Sequence, residues 1–169
     1  MDTVELVFEY TQAEYIKAER QYLFASKTIT KTSIVVIALY LPFSIYYLLS
    51  SSCSVLSIIA LAVALLGLLM GWGIYFWLPA YKFQQTAKYH EEYHVTFSQD
   101  RIIFQTPTID SDLKWDIYSE IWSSDDFYFL IQAPRIYSLM PKRAFASPAV
   151  RQAFEEMAIS NLKCSIRVL

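Results

Sequence analysis

The chain of 169 residues contains 55% hydrophobic and only 18% charged residues, a composition too apolar for an ordinary soluble domain of this length. Its formal net charge is -2, and basic and acidic residues are nearly balanced after the apolar region, which argues against nucleic-acid binding and against strong attraction to anionic lipid. The apolar excess lies in residues 32–78, which contain no Asp, Glu, Lys, Arg or His.

The first predicted elements are a strand and a helix. Residues 3–10 place apolar side chains at every second position, which predicts a strand: Val4, Leu6, Phe8 and Tyr10. Thr11 followed by Glu14 is a capping box, so we expect a helix to begin there and to lead into the apolar window. Because a single strand is unstable in water, its partner strands must follow the window in the sequence.

The apolar window predicts a transmembrane hairpin. Residues 32–49 and 55–78 each approach or exceed the roughly 20 residues that cross a hydrocarbon core of about 30 Å. The polar loop 50–54 is short enough to join only antiparallel neighbours. Pro42 removes a backbone donor from the first span, so we expect a kink there.

Charged and aromatic residues predict the orientation of the hairpin. Basic residues lie before the first span and after the second, whereas the loop has none: Lys17, Arg20, Lys27, Lys31, Lys82 and Lys88. The positive-inside rule places both termini of this multi-pass protein in the cytoplasm. Cys53 and Cys164 then lie on opposite sides and cannot pair within one chain. Aromatic residues at the inner end of the second span match an interfacial belt: Trp72, Tyr75, Phe76, Trp77 and Tyr81.

Residues 79–169 predict a small cytoplasmic α+β domain. Five segments rich in aromatic and β-branched residues are typical of strands: 92–97, 101–106, 112–122, 127–133 and 136–140. Ser147 as N-cap and Pro148 at the first helical position predict a last helix that buries Val150, Phe154, Met157 and Ala158. We expect residues 1–31 to join this domain, so that the hairpin 32–78 is an insertion between an N-terminal strand-helix and a small antiparallel sheet closed by one helix.

Three short motifs follow the same order as these elements. They are Phe8, Tyr10, Thr11 and Tyr15 before the first span, then Lys114-Trp115-Asp116-Ile117, and then Pro141-Lys142-Arg143-Ala144-Phe145. In these motifs and in its element order the chain resembles the YcxB-like family of uncharacterised bacterial membrane proteins. The resemblance implies two spans in the bacterial inner (plasma) membrane and a pleckstrin-homology-like cytoplasmic domain. It implies no activity, because none is established for the family.

One string of residues matches a catalytic signature. Residues 90–94 read His-Glu-Glu-Tyr-His, which satisfies the zinc-protease pattern in which two histidines one helical turn apart bind the metal beside a general-base glutamate. On a helix, His90, Glu91 and His94 would have these roles. On a strand, the two histidines would stand about 13 Å apart and could not share one zinc. The alternation through Tyr93, Val95 and Phe97 favours the strand.

Two further pairs of residues are candidate contacts. Gly67 and Gly71 are small residues on one helical face, which lets another backbone approach; we favour packing within the hairpin over dimerisation. Lys142 and Arg143 lie at a strand end and could contact a partner or lipid headgroups.

The sequence therefore predicts a non-catalytic, membrane-anchored binding or scaffold module, such as an accessory subunit or sensor, and no cofactor. Its expected partners are the bilayer and another membrane or membrane-associated protein, with a homo-oligomer also open. An immunity or inhibitory membrane protein is one alternative, and a zinc metalloprotease is the other.

Overall fold

The structure is a computed structural model that describes residues 3–50, 54–162 and 165–169. Cys53, Cys164 and most of the predicted loop 50–54 lie outside the described residues. The first elements are the strand β1 (Val4–Phe8), the helices α1 (Gln12–Ala25), α2 (Lys31–Ser50) and α3 (Val55–Trp72), a π-helical turn (Gly73–Trp77), α4 (Leu78–Gln85) and a 3-10 turn (Ala87–His90). They are followed by β2 (Tyr93–Phe97), β3 (Arg101–Gln105), β4 (Asp110–Lys114), a 3-10 turn (Trp115–Ile117), β5 (Glu120–Ser123), β6 (Phe127–Ala133), β7 (Ile136–Pro141), a 3-10 turn (Lys142–Ala144), α5 (Pro148–Leu162) and β8 (Arg167–Val168).

The predicted N-terminal strand and helix are confirmed. Side chains of β1 alternate between buried and exposed, with Val4, Leu6 and Phe8 buried. Thr11 N–H donates to Glu14 Oε2 at 3.1 Å, and Glu14 N–H donates to Thr11 Oγ1 at 3.3 Å. This reciprocal pair is the predicted capping box, and it explains why α1 begins directly after β1.

The apolar window forms two helices that pack against each other. Both α2 and the helical run Val55–Gln85 are long and apolar enough to cross a membrane, and only a small share of either is buried inside the protein. Pro42 lies inside α2, and the kink expected there stays a prediction. The second helical run passes through the π-helical turn, and α4 then extends it beyond the predicted end at residue 78.

The strands form two four-stranded sheets where the sequence predicted one. The first sheet has the order β1-β2-β3-β4 and the second β7-β6-β5-β8. Val4 pairs with Phe97 and Phe8 with Tyr93, so the N-terminal strand does join the strands that follow the hairpin. All described strand pairs are antiparallel except β5 with β8, which is parallel.

The predicted strand 112–122 is wrong. The chain leaves the first sheet after Lys114, turns through Trp115–Ile117 and enters the second sheet at Glu120. Trp115 is buried, and its indole Nε1 donates to the carbonyl of Ser98 at 2.9 Å. This long-range contact fixes the turn and overrides the β propensity of the segment.

Phe154 of α5 links the cores of the two sheets. Its ring centroid lies 4.8 Å from that of Phe97 in β2 and 5.3 Å from that of Tyr128 in β6, and Phe145 lies 5.2 Å away. Phe154, Met157 and Ala158 are buried, as the helical pattern predicted, whereas Val150 in the first turn of α5 is only half-buried. Aromatic pairs at these separations stabilise the core beyond the burial of their apolar area.

The chain divides into two compact units. One consists of Met1–Ala18 with Thr86–Leu169 and contains both sheets and α5; the other is Glu19–Gln85 and contains the hairpin helices. The predicted segments were 1–31, 32–78 and 79–169. The boundaries between the two units lie instead after Ala18, within α1, and after Gln85, at the end of α4. We call the first unit the sheet module.

Candidate functional site

The string at residues 90–94 does not form the helix that a zinc-protease site requires. His90 ends a 3-10 turn, whereas His94 lies within β2 and is paired with residues of β1 and β3. The strand that we favoured at His94 is therefore confirmed. In residues 3–50, 54–162 and 165–169, no three or more His, Cys, Asp or Glu side chains are grouped so that they could hold a metal ion.

Glu91 is used within the sheet module. Its two carboxylate oxygens accept hydrogen bonds from the hydroxyl of Thr108 at 2.7 and 2.8 Å. Hydrogen bonds from Thr106 and Thr108 lower the pKa of Glu91, because they favour its charged form. Glu91 therefore anchors the turn between β3 and β4 as a carboxylate.

Arg143 connects the segment after β7 to the start of α1. Its guanidinium binds the Glu14 carboxylate through Nε to Oε1 and through Nη2 to Oε2 at 2.8 Å, and Nη2 also donates to the Glu9 carbonyl at 2.8 Å. The hydrogen bond from Arg143 is the main cause that lowers the pKa of Glu14 to about 2. We call this contact the Arg143–Glu14 clasp. A lipid headgroup or a partner that binds the Arg143 guanidinium, as the sequence predicted, would have to compete with Glu14 for it.

Lys142 lies above an aromatic ring. Its Nζ is 4.7 Å from the centroid of Tyr128, and its backbone N–H donates to the Asp126 carbonyl at 2.8 Å. Burial lowers the pKa of Lys142, and the nearby Arg151 lowers it further. Lys142 is half-buried, whereas Arg143 is exposed, and the contact of Lys142 with a partner or with lipid stays a prediction.

A buried tyrosine beneath Lys142 was missed by the sequence analysis. The hydroxyl of Tyr128 donates to the Glu155 carboxylate of α5. Burial raises the pKa of Tyr128, and the hydrogen bond to Glu155 adds to this effect. The two residues are 27 positions apart, so no local spacing could have indicated the pair. It joins α5 to β6.

Gly67 and Gly71 are not packed closely against the neighbouring helix. A Cβ atom built on either glycine would meet no described atom within 4 Å. The packing of these two glycines within the hairpin, which we favoured over dimerisation, stays a prediction. The buried residues of the helix pair are instead Ser44 of α2 and Ser57 and Ala64 of α3.

An arginine and several aromatic rings surround the π-helical turn. Pro79 has no N–H for the carbonyl four residues earlier, which belongs to Tyr75. Arg20 Nε donates to that carbonyl at 3.3 Å, and its guanidinium carbon lies 4.6 and 5.1 Å from the ring centroids of Tyr75 and Phe76. The Arg20 side chain thus provides a hydrogen-bond donor to the Tyr75 carbonyl in place of the N–H that Pro79 lacks. π-Helical turns often occur at functional sites.

The predicted aromatic belt lies in this same part of the chain. Four of its five large side chains are exposed in the structure: Trp72, Phe76, Trp77 and Tyr81. Trp77 stacks on Tyr81 with ring centroids 4.8 Å apart. Exposed tryptophan and tyrosine next to an apolar helix are typical of a membrane–water interface.

The edges of the two sheets differ in chemistry. Strand β4 exposes Asp110, Asp112 and Lys114, and Arg101 Nη1 binds Asp112 at 2.7 Å across the β3–β4 pair. Charged edge strands oppose pairing with another chain. The second sheet ends at β8, a strand of two residues whose Val168 is 80% exposed.

Residues 97–158 match the family model described as YcxB-like protein. The matched segment runs from the last residue of β2 into α5 and covers a little over a third of the chain, all of it within the sheet module. The resemblance stated from the sequence motifs is confirmed over this segment. Neither the search of curated proteins nor the search of solved structures found a match.

Proposed function

Starting from the match to the YcxB-like family, whose function is unknown, we propose that this protein is a non-catalytic binding or scaffold module anchored in a bacterial inner membrane. The observation that carries this proposal is that the hairpin helices bury small residues and expose large apolar ones, which is the inverse of a soluble core. Ser44, Ser57 and Ala64 are buried, whereas large apolar residues of α2 and α3 such as Leu39 and Leu69 are exposed. A water-soluble helix pair would bury its large apolar residues.

Lipid accounts for the inverted pattern. Hydrocarbon surrounds apolar side chains as well as a protein core does, so helices in a membrane pair through small residues that bring the backbones together. The two buried hydroxyls are also satisfied locally, since Ser44 Oγ donates to the Leu41 carbonyl at 2.8 Å and Ser57 Oγ donates to the Ser54 carbonyl at 2.7 Å. Each hydroxyl therefore has a hydrogen-bond partner within the protein, as is required where no water is present in the bilayer core.

We propose that the residues on both sides of the hairpin lie in the cytoplasm. The basic residues that flank the two helices and the uncharged segment between them support this orientation. The sheet module would then be a pleckstrin-homology-like domain at the inner face of the membrane. Its two four-stranded sheets and its packed helix α5 support that assignment.

A non-catalytic binding role agrees with the contacts of the charged side chains near the predicted sites, which form hydrogen bonds within the sheet module. Glu91, Glu14 and Arg143 all bind groups within the module, so the polar residues near the predicted sites stabilise the fold. The exposed sheet edges and the surface of α5 are left as docking surfaces for a protein partner. The module would serve as a scaffold, accessory subunit or sensor for that partner.

The membrane anchor is tested by extraction and thiol labelling. We expect the protein to remain in the membrane pellet after alkaline carbonate treatment and to be released by detergent. In single-cysteine variants made by Cys164→Ser and Cys53→Ser, a membrane-impermeant maleimide should label Cys53 from outside the cell and Cys164 only after permeabilisation. Equal labelling of both cysteines from the same face of sealed vesicles would contradict the hairpin.

The binding role is tested by cross-linking in native membranes followed by purification. Ile159 is an exposed apolar residue of α5, with 43% of its surface accessible. We expect Ile159→Glu to reduce recovery of the cross-linked partner, whereas Ser160→Glu adds the same charge at the neighbouring exposed position and should leave recovery unchanged. If several mild detergents recover this chain alone, an obligate partner is contradicted.

A further inference from the structure

The outer edge of β5 is covered by a very short strand from elsewhere in the chain. Residues of β8 pair in parallel with β5, so that Trp122 is opposite Arg167 and Ser123 is opposite Val168. Leu169 N–H then donates to the Ser123 carbonyl at 2.9 Å. Backbone pairing of this kind does not depend on side-chain identity, so the edge itself can accept any extended segment.

One side chain of the short strand has a specific contact. The guanidinium carbon of Arg167 lies 4.8 Å from the ring centroid of Trp122. Trp122 is held in place because its indole Nε1 donates to the Glu120 carboxylate at 2.6 Å. A cation above a tryptophan face is attracted by the ring electrons, and the neighbouring carboxylate adds to the preference for a positive charge.

The short strand itself is weakly held. It has two residues, both of them exposed, and its apolar residue Val168 is 80% exposed. The receiving strand, in contrast, is well formed, because Ile121 and Trp122 are buried and β5 is paired along its other edge with β6. Strand β5 is therefore held by more burial and more strand pairing than the segment that covers its outer edge.

We propose that the outer edge of β5 is a strand-docking site, which residues 167–169 occupy in the isolated chain and which an extended, arginine-bearing segment of a partner protein takes over. The proposal deepens the proposed binding function and rests on it. The partner segment would add a parallel strand to β5 and place its arginine over Trp122. The chain's own Arg167 shows the chemistry that the site accepts.

The segment already present acts as a competitor within the same molecule. A tethered segment has an effective concentration in the millimolar range. A free peptide with the same contacts should therefore bind the intact protein poorly and should bind well only when the tethered segment is weakened. This difference is the measurable consequence of the proposal.

The test uses the full chain in detergent and a fluorescent peptide of sequence Ser-Ile-Arg-Val-Leu, which reproduces residues 165–169. The peptide is titrated against the wild type and against a variant in which residues 165–169 are replaced by Gly-Ser-Gly-Ser-Gly. We expect binding to the variant to be at least about tenfold tighter, and a peptide with alanine in place of arginine to bind about two- to fivefold more weakly.

A second variant covers the case in which the replacement disturbs folding. Arg167→Ala keeps the backbone pairing and removes the guanidinium from above the Trp122 ring, so it should also raise peptide affinity above that of the wild type. The membrane and labelling experiments stand apart from this one, because a failure here leaves the anchor and its orientation untouched.

Three results would overturn the proposal. The first is no peptide binding to either variant while their thermal unfolding remains that of the wild type. The second is equal binding to the wild type and both variants. The third is a dimer that forms in the wild type and is lost on replacement of residues 165–169, since a second copy would then be the occupant of the edge.

Discussion

Loss of the Arg143–Glu14 clasp should destabilise the sheet module measurably. The clasp joins the segment after β7 to the capping box of α1 through paired hydrogen bonds, and its guanidinium also holds the Glu9 carbonyl. Arg143→Ala removes all of these contacts at once. Arg143→Lys keeps the positive charge and loses the planar fork, so its effect should be intermediate.

The size of the effect follows from the pKa of Glu14. A decrease from 4.5 to about 2 corresponds to a ceiling of roughly 3.5 kcal/mol, at about 1.4 kcal/mol per pH unit. The Arg143 side chain is 50% exposed, so solvent screening reduces the expected loss in the free energy of unfolding to about 1–2 kcal/mol.

The pH dependence has a defined sign. The pKa of Glu14 is lowered in the folded protein, so the clasp stabilises the fold fully above the unfolded value of 4.5 and loses its effect as the pH falls toward 2. Arg143→Ala should therefore differ most from the wild type at pH 6–7 and converge with it toward pH 2.

Urea unfolding of the detergent-solubilised protein, followed by tryptophan fluorescence at several pH values, measures both quantities. Lys114→Ala is the matched control, because it removes an exposed positive charge from β4 without touching the clasp. The reasoning is refuted if Arg143→Ala and Lys114→Ala lower stability equally, or if the loss in Arg143→Ala does not shrink as the pH falls.

Three further substitutions test other contacts. Tyr10→Phe removes the hydroxyl that donates to the buried Leu139 carbonyl and should lower the free energy of unfolding by about 1–2 kcal/mol, measured by the same urea titration. Arg20→Ala should lower the thermal stability of the detergent-solubilised protein more than Arg20→Lys does, since both the Tyr75 carbonyl and the ring contacts are lost. Burial, with the neighbouring Tyr89 and Glu91, raises the pKa of Tyr93 to about 12, so Tyr93→Phe should reduce the tyrosinate absorbance change near pH 12 in an alkaline titration.

The sequence predicted those elements whose signal is local. The capping box of Thr11 and Glu14, the strand 127–133 and the N-terminus of α5 at Ser147 and Pro148 all depend on residues within a few positions of one another. The two apolar helices could also be predicted from the sequence, because long runs of apolar residues without charge are typical of segments that cross a bilayer.

The sequence could not predict features that depend on distant partners. The turn at Trp115 is fixed by its hydrogen bond to Ser98, and the division into two sheets follows from that turn. The strand β8 has only two residues and pairs with β5 more than forty positions earlier. A helix sequence also does not say which face its neighbour covers, so the role of Gly67 and Gly71 stays a prediction.

The internal use of charge in the sheet module limits how a partner can be recognised. Lys17 binds Asp126 at 2.6 Å and Arg101 binds Asp112 at 2.7 Å, in addition to the Arg143–Glu14 clasp. With a net charge of only -2 over the whole chain, long-range electrostatic steering would contribute little to association. Recognition of the proposed partner would then depend on short-range contacts, and backbone pairing beside the Trp122 ring would supply both affinity and a preference for one type of side chain. The edge of β5 combines these two features, whereas the exposed charges of β4 oppose pairing.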